Sequence, residues 1–232
     1  MATRADYLKL HFIVFLWGFS GILGKLVSIP AYEMVFYRTI LAAVGIAMVM
    51  VFIREKFQVS PRQLMNLILI GFIVAVHWVA FFEAARVSNV SVSLVGFATN
   101  SLWTALLDPL FNRSRIKKFE LILGLIVIFG LYIIFSFDFK YPLGLMLGVV
   151  AGFTSAFFSI LNSRMVRNIP AFTISLYEMV GAFLGLTLFM PIYKMTWAGG
   201  SLSLIPSAMD WVYMIVLAGA CSVYAYAAVV EL

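Results

Sequence analysis

Eight uninterrupted apolar runs dominate this chain, at residues 10–27, 34–53, 64–85, 92–111, 119–137, 143–161, 172–193 and 211–232. A hydrocarbon core about 30 Å thick takes about 20 residues of helix to cross, so each run reads as one membrane-spanning helix, numbered span 1 to span 8. A closed β-barrel also satisfies its backbone in lipid, but its strands are about half as long as these runs and alternate apolar with polar positions, which these do not. Connections between the runs are short. With 64% of the 232 residues apolar, 11% charged and a mean hydropathy of +1.06, no soluble domain is expected. The predicted fold class is an all-α membrane protein, a helical bundle whose solvent is the lipid bilayer.

Span 1 follows Arg4 and Lys9, yet no small-x-small cleavage site separates it from span 2, so it reads as a retained helix and not a signal peptide. The single cysteine, Cys221, lies within span 8 and reads as a small packing residue. Orientation follows from the lysines and arginines of successive loops, because basic residues are retained on the cytoplasmic side. Arg4, Lys9, Arg54, Lys56, Arg62, Arg113, Arg115, Lys117, Lys118, Arg164 and Arg167 make eleven on one side. Lys25, Arg86, Lys140 and Lys194 make four on the other. The amino terminus is therefore expected in the cytoplasm of a bacterial-type plasma (inner) membrane. The net charge of +6 belongs to this topology. Nucleic acid is not an expected partner, since that needs a folded basic surface.

Residues 29–38 and 169–178 echo one another. Ile29-Pro30-Ala31-Tyr32 and Tyr37-Arg38 return as Ile169-Pro170-Ala171-Phe172 and Tyr177-Glu178, four identities in ten positions at a lag of 140. Five spans separate the copies, and an odd number must invert the unit. The pattern therefore predicts inverted five-helix repeats about an axis in the membrane plane, a common plan of secondary transporters. Residues 1–140 would be the first repeat, spans 1 to 5, and residues 141–232 the second, incomplete, with spans 6 to 8. A weaker echo joins Trp17-Gly18-Phe19 to Ala151-Gly152-Phe153, and Glu83 in span 3 matches Glu231 in span 8. Eight of ten spans would be present, and the expectation is a chain cut short after the eighth.

Polar groups inside a bilayer cost several kcal/mol unless they face a cavity or a partner, so they mark candidate sites. In span 4, Ser93, Gly96, Asn100, Thr104 and Asp108 form one helical stripe. Span 6 repeats it with Gly148, Gly152, Ser155, Ser159 and Asn162, and span 1 offers Trp17, Ser20, Gly21 and Gly24. Two readings compete. These faces line a central cavity bounded by spans 1, 3, 4, 6 and 8, with Asn100 and Ser155 bonding a polar solute and Trp17 packing on its apolar part. Alternatively, the small residues only let helices approach closely. His77, midway along span 3, is a candidate substrate contact or proton relay, or a satisfied core histidine. It has no second ligand at metal spacing, so no metal or other cofactor is expected.

Glu83 and Glu178 are the candidate proton-coupling carboxylates, although Glu83 and Arg86, one turn apart, also fit an interfacial ion pair. Arg38 and Glu178 occupy equivalent repeat positions with opposite charge, one turn into spans 2 and 7. The topology places them on opposite membrane sides, where they cannot pair directly. Arg38 would attract anionic groups or snorkel to the outer interface. Asp108 with Pro109 would end span 4. Gly18-Phe19-Ser20-Gly21 imitates the motif of intramembrane serine proteases, with His77 as the deep base, and a helix-packing face is the competing account.

Trp17-Gly18, Lys25, Arg38, the small-residue run 84–93, and Gly124 with Gly130 together resemble the drug/metabolite transporter superfamily, specifically proteins built from two EamA-type domains. The chain departs from that pattern at Thr99-Asn100-Ser101, where the family often has proline. It departs again at Asn112-Arg113-Ser114-Arg115, where the family has a Glu-Arg pair. The resemblance implies a secondary-active transporter of small organic metabolites, not an enzyme, working by alternating access. Export is the direction it implies, with a proton gradient as the candidate energy source. ATP is not an expected driver, because the chain has no glycine-rich phosphate loop. A non-transporting membrane scaffold or sensor is the alternative, and an intramembrane serine protease a remote one.

Overall fold

A computed structural model of the chain describes residues 3–113, 115–137, 140–203 and 205–231, with residues 131, 134–137 and 231 described by backbone alone. Among them the secondary structure is helical: α1 (Arg4–Leu26), α2 (Ala31–Phe52), α3 (Pro61–Val87), α4 (Val90–Phe97), α5 (Asn100–Asn112), α6 (Lys118–Phe137), α7 (Pro142–Met165), α8 (Ala171–Thr196), α9 (Ala208–Val216), a π segment (Leu217–Tyr224) and α10 (Ala225–Glu231). The all-α expectation holds. Span 4 is α4 followed by α5, and span 8 is α9, the π segment and α10. Seven rods are long and apolar enough to cross a membrane; α6, of 20 residues, is the remaining one. The expected match of Glu83 with Glu231 falls on a side chain outside the described set.

Helix ends extend past the apolar runs because capping, not hydropathy, sets them. Thr3 and Asp6 form a capping box that starts α1 at Arg4. Ser60 and Gln63 exchange the equivalent bonds before α3, at 2.9 and 3.3 Å. Pro30 and Pro170 hold extended backbone, and α2 and α8 begin directly after them, since a proline has no N–H to lose at a helix start. Arg38 and Glu178 therefore lie two turns into their helices and not one. Pro109 does not end span 4 either. It sits inside α5, which runs on to Asn112 and stops at Arg113 in left-handed backbone (φ 51°); Asn112 Nδ2 donates to Asp108 Oδ1 at 2.6 Å in that last turn.

The chain divides into two compact units, residues 1–75 with 165–232 and residues 76–164. In the first, α2 packs along α8, and α9 to α10 close over both. Its crossing of α3 and α8 is set by glycine: a Cβ on Gly71 would meet Ala182 N at 2.8 Å, and one on Gly181 would meet Ile68 Cα at 2.8 Å. Side-chain staples fasten its loops. Asp210 accepts from Ser28 N at 2.6 Å and Ser28 Oγ at 2.7 Å. Glu55 accepts from Thr173 N at 3.2 Å and Thr173 Oγ1 at 3.0 Å, capping α8 with a negative charge. In the second unit, α4 lies against α7 with Gly96 and Gly148 face to face; a Cβ on Gly96 would reach Gly148 Cα at 2.8 Å.

Apolar side chains fill the interior and also cover the outer faces of the helices. Phe12, Phe15, Phe19 and Ile22 of α1, Val44, Met48 and Val51 of α2, and Leu184, Leu188 and Ile192 of α8 are exposed at helical spacing. Glu33, Arg38, His77, Glu178 and Asp210 are buried. Apolar groups outside and ionisable groups inside is the distribution a bilayer imposes.

Candidate functional site

In the first unit the early start of α2 and α8 carries Arg38 and Glu178 into the interior, where they are 3% and 0% exposed. A buried charge demands a partner, and span 8 supplies one for each. Arg38 Nε–H donates to Ser222 Oγ at 3.1 Å, and the Tyr226 hydroxyl donates to a Glu178 carboxylate oxygen. Ser222 and Tyr226 are four residues apart and face the same way. Snorkelling of Arg38 is thereby corrected: two turns of helix separate it from the α2 terminus, and its guanidinium is enclosed. Arg38 and Glu178 are engaged by one span, through donor and acceptor hydroxyls a single turn apart.

Trp17 joins the same element. A helix that takes in about one extra residue widens to i→i−5 bonding, and one carbonyl loses its helical donor where the normal ladder resumes. Ala225 N–H reaches back to the Ala220 carbonyl. The next carbonyl, of Cys221, takes the Trp17 indole N–H at 3.1 Å, while Cys221 Sγ points to the Leu16 carbonyl at 3.6 Å. Ser20 Oγ donates to the Trp17 carbonyl at 2.6 Å. Its proton rests on a neutral acceptor of its own helix, whereas a nucleophilic serine needs a base there.

Glu33 was not expected and is fully enclosed. It stands at the third position of α2, from which a glutamate usually reaches back to the capping residue's N–H. Here that residue is Pro30, which has none. One carboxylate oxygen accepts from Ser203 N at 3.1 Å; the other has no hydrogen-bond partner among the described residues.

In the second unit His77 is 8% exposed. Its Nδ1–H donates to the Ala151 carbonyl at 2.8 Å, since a carbonyl can only accept. Its ring lies among Phe81, Phe97 and Phe158, at centroid separations of 6.3, 5.7 and 5.4 Å. Ser93 Oγ donates to the Phe81 carbonyl at 2.7 Å, Asn100 Nδ2 to the Gly152 carbonyl at 3.3 Å and Thr104 Oγ1 to Asn100 Oδ1 at 3.5 Å. These expected substrate contacts are thus joined by bonds between α3, α4, α5 and α7. The stripe through them is not one straight helix. Thr99 N–H and Thr99 Oγ1 both bond the Gly96 carbonyl, and Leu102 N–H bonds the Thr99 carbonyl, so a tight i→i−3 turn separates Ser93 and Gly96 from Asn100 and Thr104. On α7, Ser155 is buried and Ser159 exposed. Glu83 is half-buried one turn before Arg86.

No curated protein matches the chain. A solved structure described only as a crystal structure of a protein is similar over 99% of this chain and 79% of its own, with a TM-score of 0.70 and 11% identity, which speaks for the fold alone. The EamA-like transporter family matches residues 7–136, more than half of the sequence. Together with the apolar helices, this makes the protein an integral membrane protein that belongs to the EamA-like transporter family.

Proposed function

We propose that the protein is a secondary-active exporter of small organic metabolites, working by alternating access, with Glu178 as its proton-coupling carboxylate. The observation that carries this reading is the Tyr226–Glu178 bond inside the bundle, beside Arg38 on Ser222. An ionisable group kept dry within a membrane protein is expensive, and a place on an ion or proton pathway is one reason to retain it. A carboxylate that exchanges a tyrosine hydroxyl for a proton gives transport two states to alternate between. Glu83, half-buried on α3, is the second coupling candidate.

In the second unit His77 presents aromatic surface and Ser155 a hydroxyl to a solute of mixed polarity; in the first unit Trp17 is the candidate contact. In the second unit Ser93 and Asn100 contribute by bonding one helix to another, Thr104 by supporting Asn100, and Ser159 as an exposed hydroxyl on α7; in the first unit Ser20 contributes through its bond within α1. The amino terminus is cytoplasmic in this reading, in a bacterial-type plasma membrane, on the strength of eleven basic loop residues against four. Inverted repeats with a boundary near residue 140 complete it, supported by the echo of residues 29–38 in 169–178 and by a family match that ends at residue 136.

The test is flux through reconstituted protein, using a mixed panel of amino acids, nucleobases and lipophilic cations in liposomes with an imposed proton gradient. Gradient-dependent movement above protein-free liposomes, lost in Glu178→Gln, is the expected result. Flux that persists unchanged in Glu178→Gln would remove Glu178 from coupling. No flux for any member of the panel would remove the transporter reading.

A further inference from the structure

We infer that the π segment of span 8 is a register switch that carries Tyr226 on and off Glu178, an inference that rests on Glu178 being the coupling group. The segment Leu217–Tyr224 holds about one residue more than an α-helix of equal length would. Releasing that residue into the following helix turns α10 by about 100° and shifts it by about 1.5 Å, the step of one helical residue. Tyr226 is flanked by Ala225 and Ala227, and Ser222 by Cys221 and Val223. A shift by one residue in either direction therefore presents an alanine methyl to Glu178 and takes the hydroxyl away from Arg38. The two hydrogen bonds are made together or lost together.

The segment is built for such a change. Ala218, Gly219, Ala220, Cys221 and Ser222 are all small, so sliding meets little side-chain bulk. Gly219 differs from the packing glycines: a Cβ there would meet nothing within 4 Å, so its use is backbone freedom and not close approach. The π register is held from outside the helix, by Trp17 on the Cys221 carbonyl and Arg38 on Ser222. Ser222 Oγ in turn donates to the Leu217 carbonyl at 3.4 Å, five residues back, a bond within the widened turn. In the α register the Cys221 carbonyl rejoins the ladder and the indole is released. Trp17 on α1 thus senses the same event as Glu178 on α8.

Deleting Gly219 removes the extra residue while keeping both halves of span 8 on their present faces. Gly219→Ala leaves length unchanged, meets no neighbour and tilts the backbone toward α geometry. Two readouts are taken on the intact protein in lipid nanodiscs or liposomes: backbone amide exchange across residues 217–226, and flux of the same metabolite panel. The expected result is that amides of the π segment exchange at least tenfold faster than those of α9, that deletion of Gly219 abolishes the difference, and that flux falls at least tenfold in the deletion and several-fold in Gly219→Ala. Trp17→Phe should likewise slow exchange by releasing the register. Wild-type amides in 217–224 exchanging as slowly as those of α9, or full flux in a folded deletion variant, would overturn the switch. Loss of flux in Glu178→Gln alongside full flux in both Gly219 variants would leave the coupling reading standing and remove only the switch. Should the panel show no flux, the transporter reading falls and the switch that rests on it falls with it, whatever the amide exchange shows.

Discussion

Tyr226 donates its hydroxyl to the Glu178 carboxylate, and four residues earlier Ser222 receives Arg38. One face of span 8 thus serves a buried anion and a buried cation that stand at equivalent places in an internal echo of the sequence. The equivalence is positional and the chemistry is opposite, so any pseudo-symmetry between the copies is broken at the pair where charge matters most.

Removing the donor should be worse than removing the charge. Tyr226→Phe leaves a carboxylate of 0% exposure short of a hydrogen bond and is expected to cost about 1–3 kcal/mol. Glu178→Gln keeps an acceptor for the hydroxyl and discards the desolvation burden, so its stability should lie within about 1 kcal/mol of wild type. Denaturant unfolding in detergent micelles measures both. A more damaging Glu178→Gln would mean that the charge, through other neighbours, matters more than the tyrosine.

Asp210 and Glu33 are both enclosed acids and should respond oppositely to amidation. Asp210 accepts from Ser28 N, Ser28 Oγ, Ser207 N and Ser207 Oγ at 2.6 to 2.9 Å. Asp210→Asn places an N–H₂ against donors and should cost about 2–3 kcal/mol, the scale of a hydrogen bond to charge. Glu33 has one oxygen with no partner among the described residues, and Pro30 carries no N–H to offer it. Glu33→Gln removes a charge that is only half satisfied and should be neutral or stabilising by about 1 kcal/mol. The order of the two unfolding midpoints is the check.

Much of this was legible in the sequence, and the failures share a cause. Apolar runs of helical length located every rod, and the resemblance resting on Trp17-Gly18 and Arg38 led to the family that residues 7–136 confirm. Hydropathy failed at helix ends, where Thr3–Asp6 and Pro30 set boundaries by hydrogen bonding. That error of a few residues put Arg38 at an interface it does not occupy. Tyr226 and Ser222 carried a readable signal, polar groups at i and i+4 in span 8, but a π segment has no hydropathy signature, so their common face was not anticipated. The stripe from Ser93 to Thr104 assumed a straight helix, which the turn at Thr99 breaks.

Glycines that look alike in the sequence should separate cleanly by substitution. Gly71→Ala and Gly181→Ala drive a methyl into helix backbone at 2.8 Å or less and should cost about 1–3 kcal/mol each, because backbone cannot step aside as a side chain can. Gly18→Ala meets nothing within 4 Å. It should be neutral or stabilising by up to about 1 kcal/mol, the gain in helix propensity. Equal losses at Gly18 and Gly71 in thermal unfolding would show that close approach at the α3–α8 crossing is not what distinguishes these positions.

His77 tests whether the aromatic nest in the second unit is packing or chemistry. Its Nδ1–H occupies the Ala151 carbonyl, but Thr154 Oγ1 also donates there at 3.1 Å, so that acceptor is served without the imidazole. His77→Phe keeps a ring among Phe81, Phe97 and Phe158 and should lose no more than about 1 kcal/mol, the net worth of one hydrogen bond. His77→Ala empties the nest and should lose about 2–4 kcal/mol, as large-to-small changes in a packed core do. If both variants retain the flux of the wild type, the ring serves only to fill space. If His77→Phe folds with near-native stability and flux nevertheless collapses, the imidazole takes part in transport, because the phenyl ring supplies everything else the site requires.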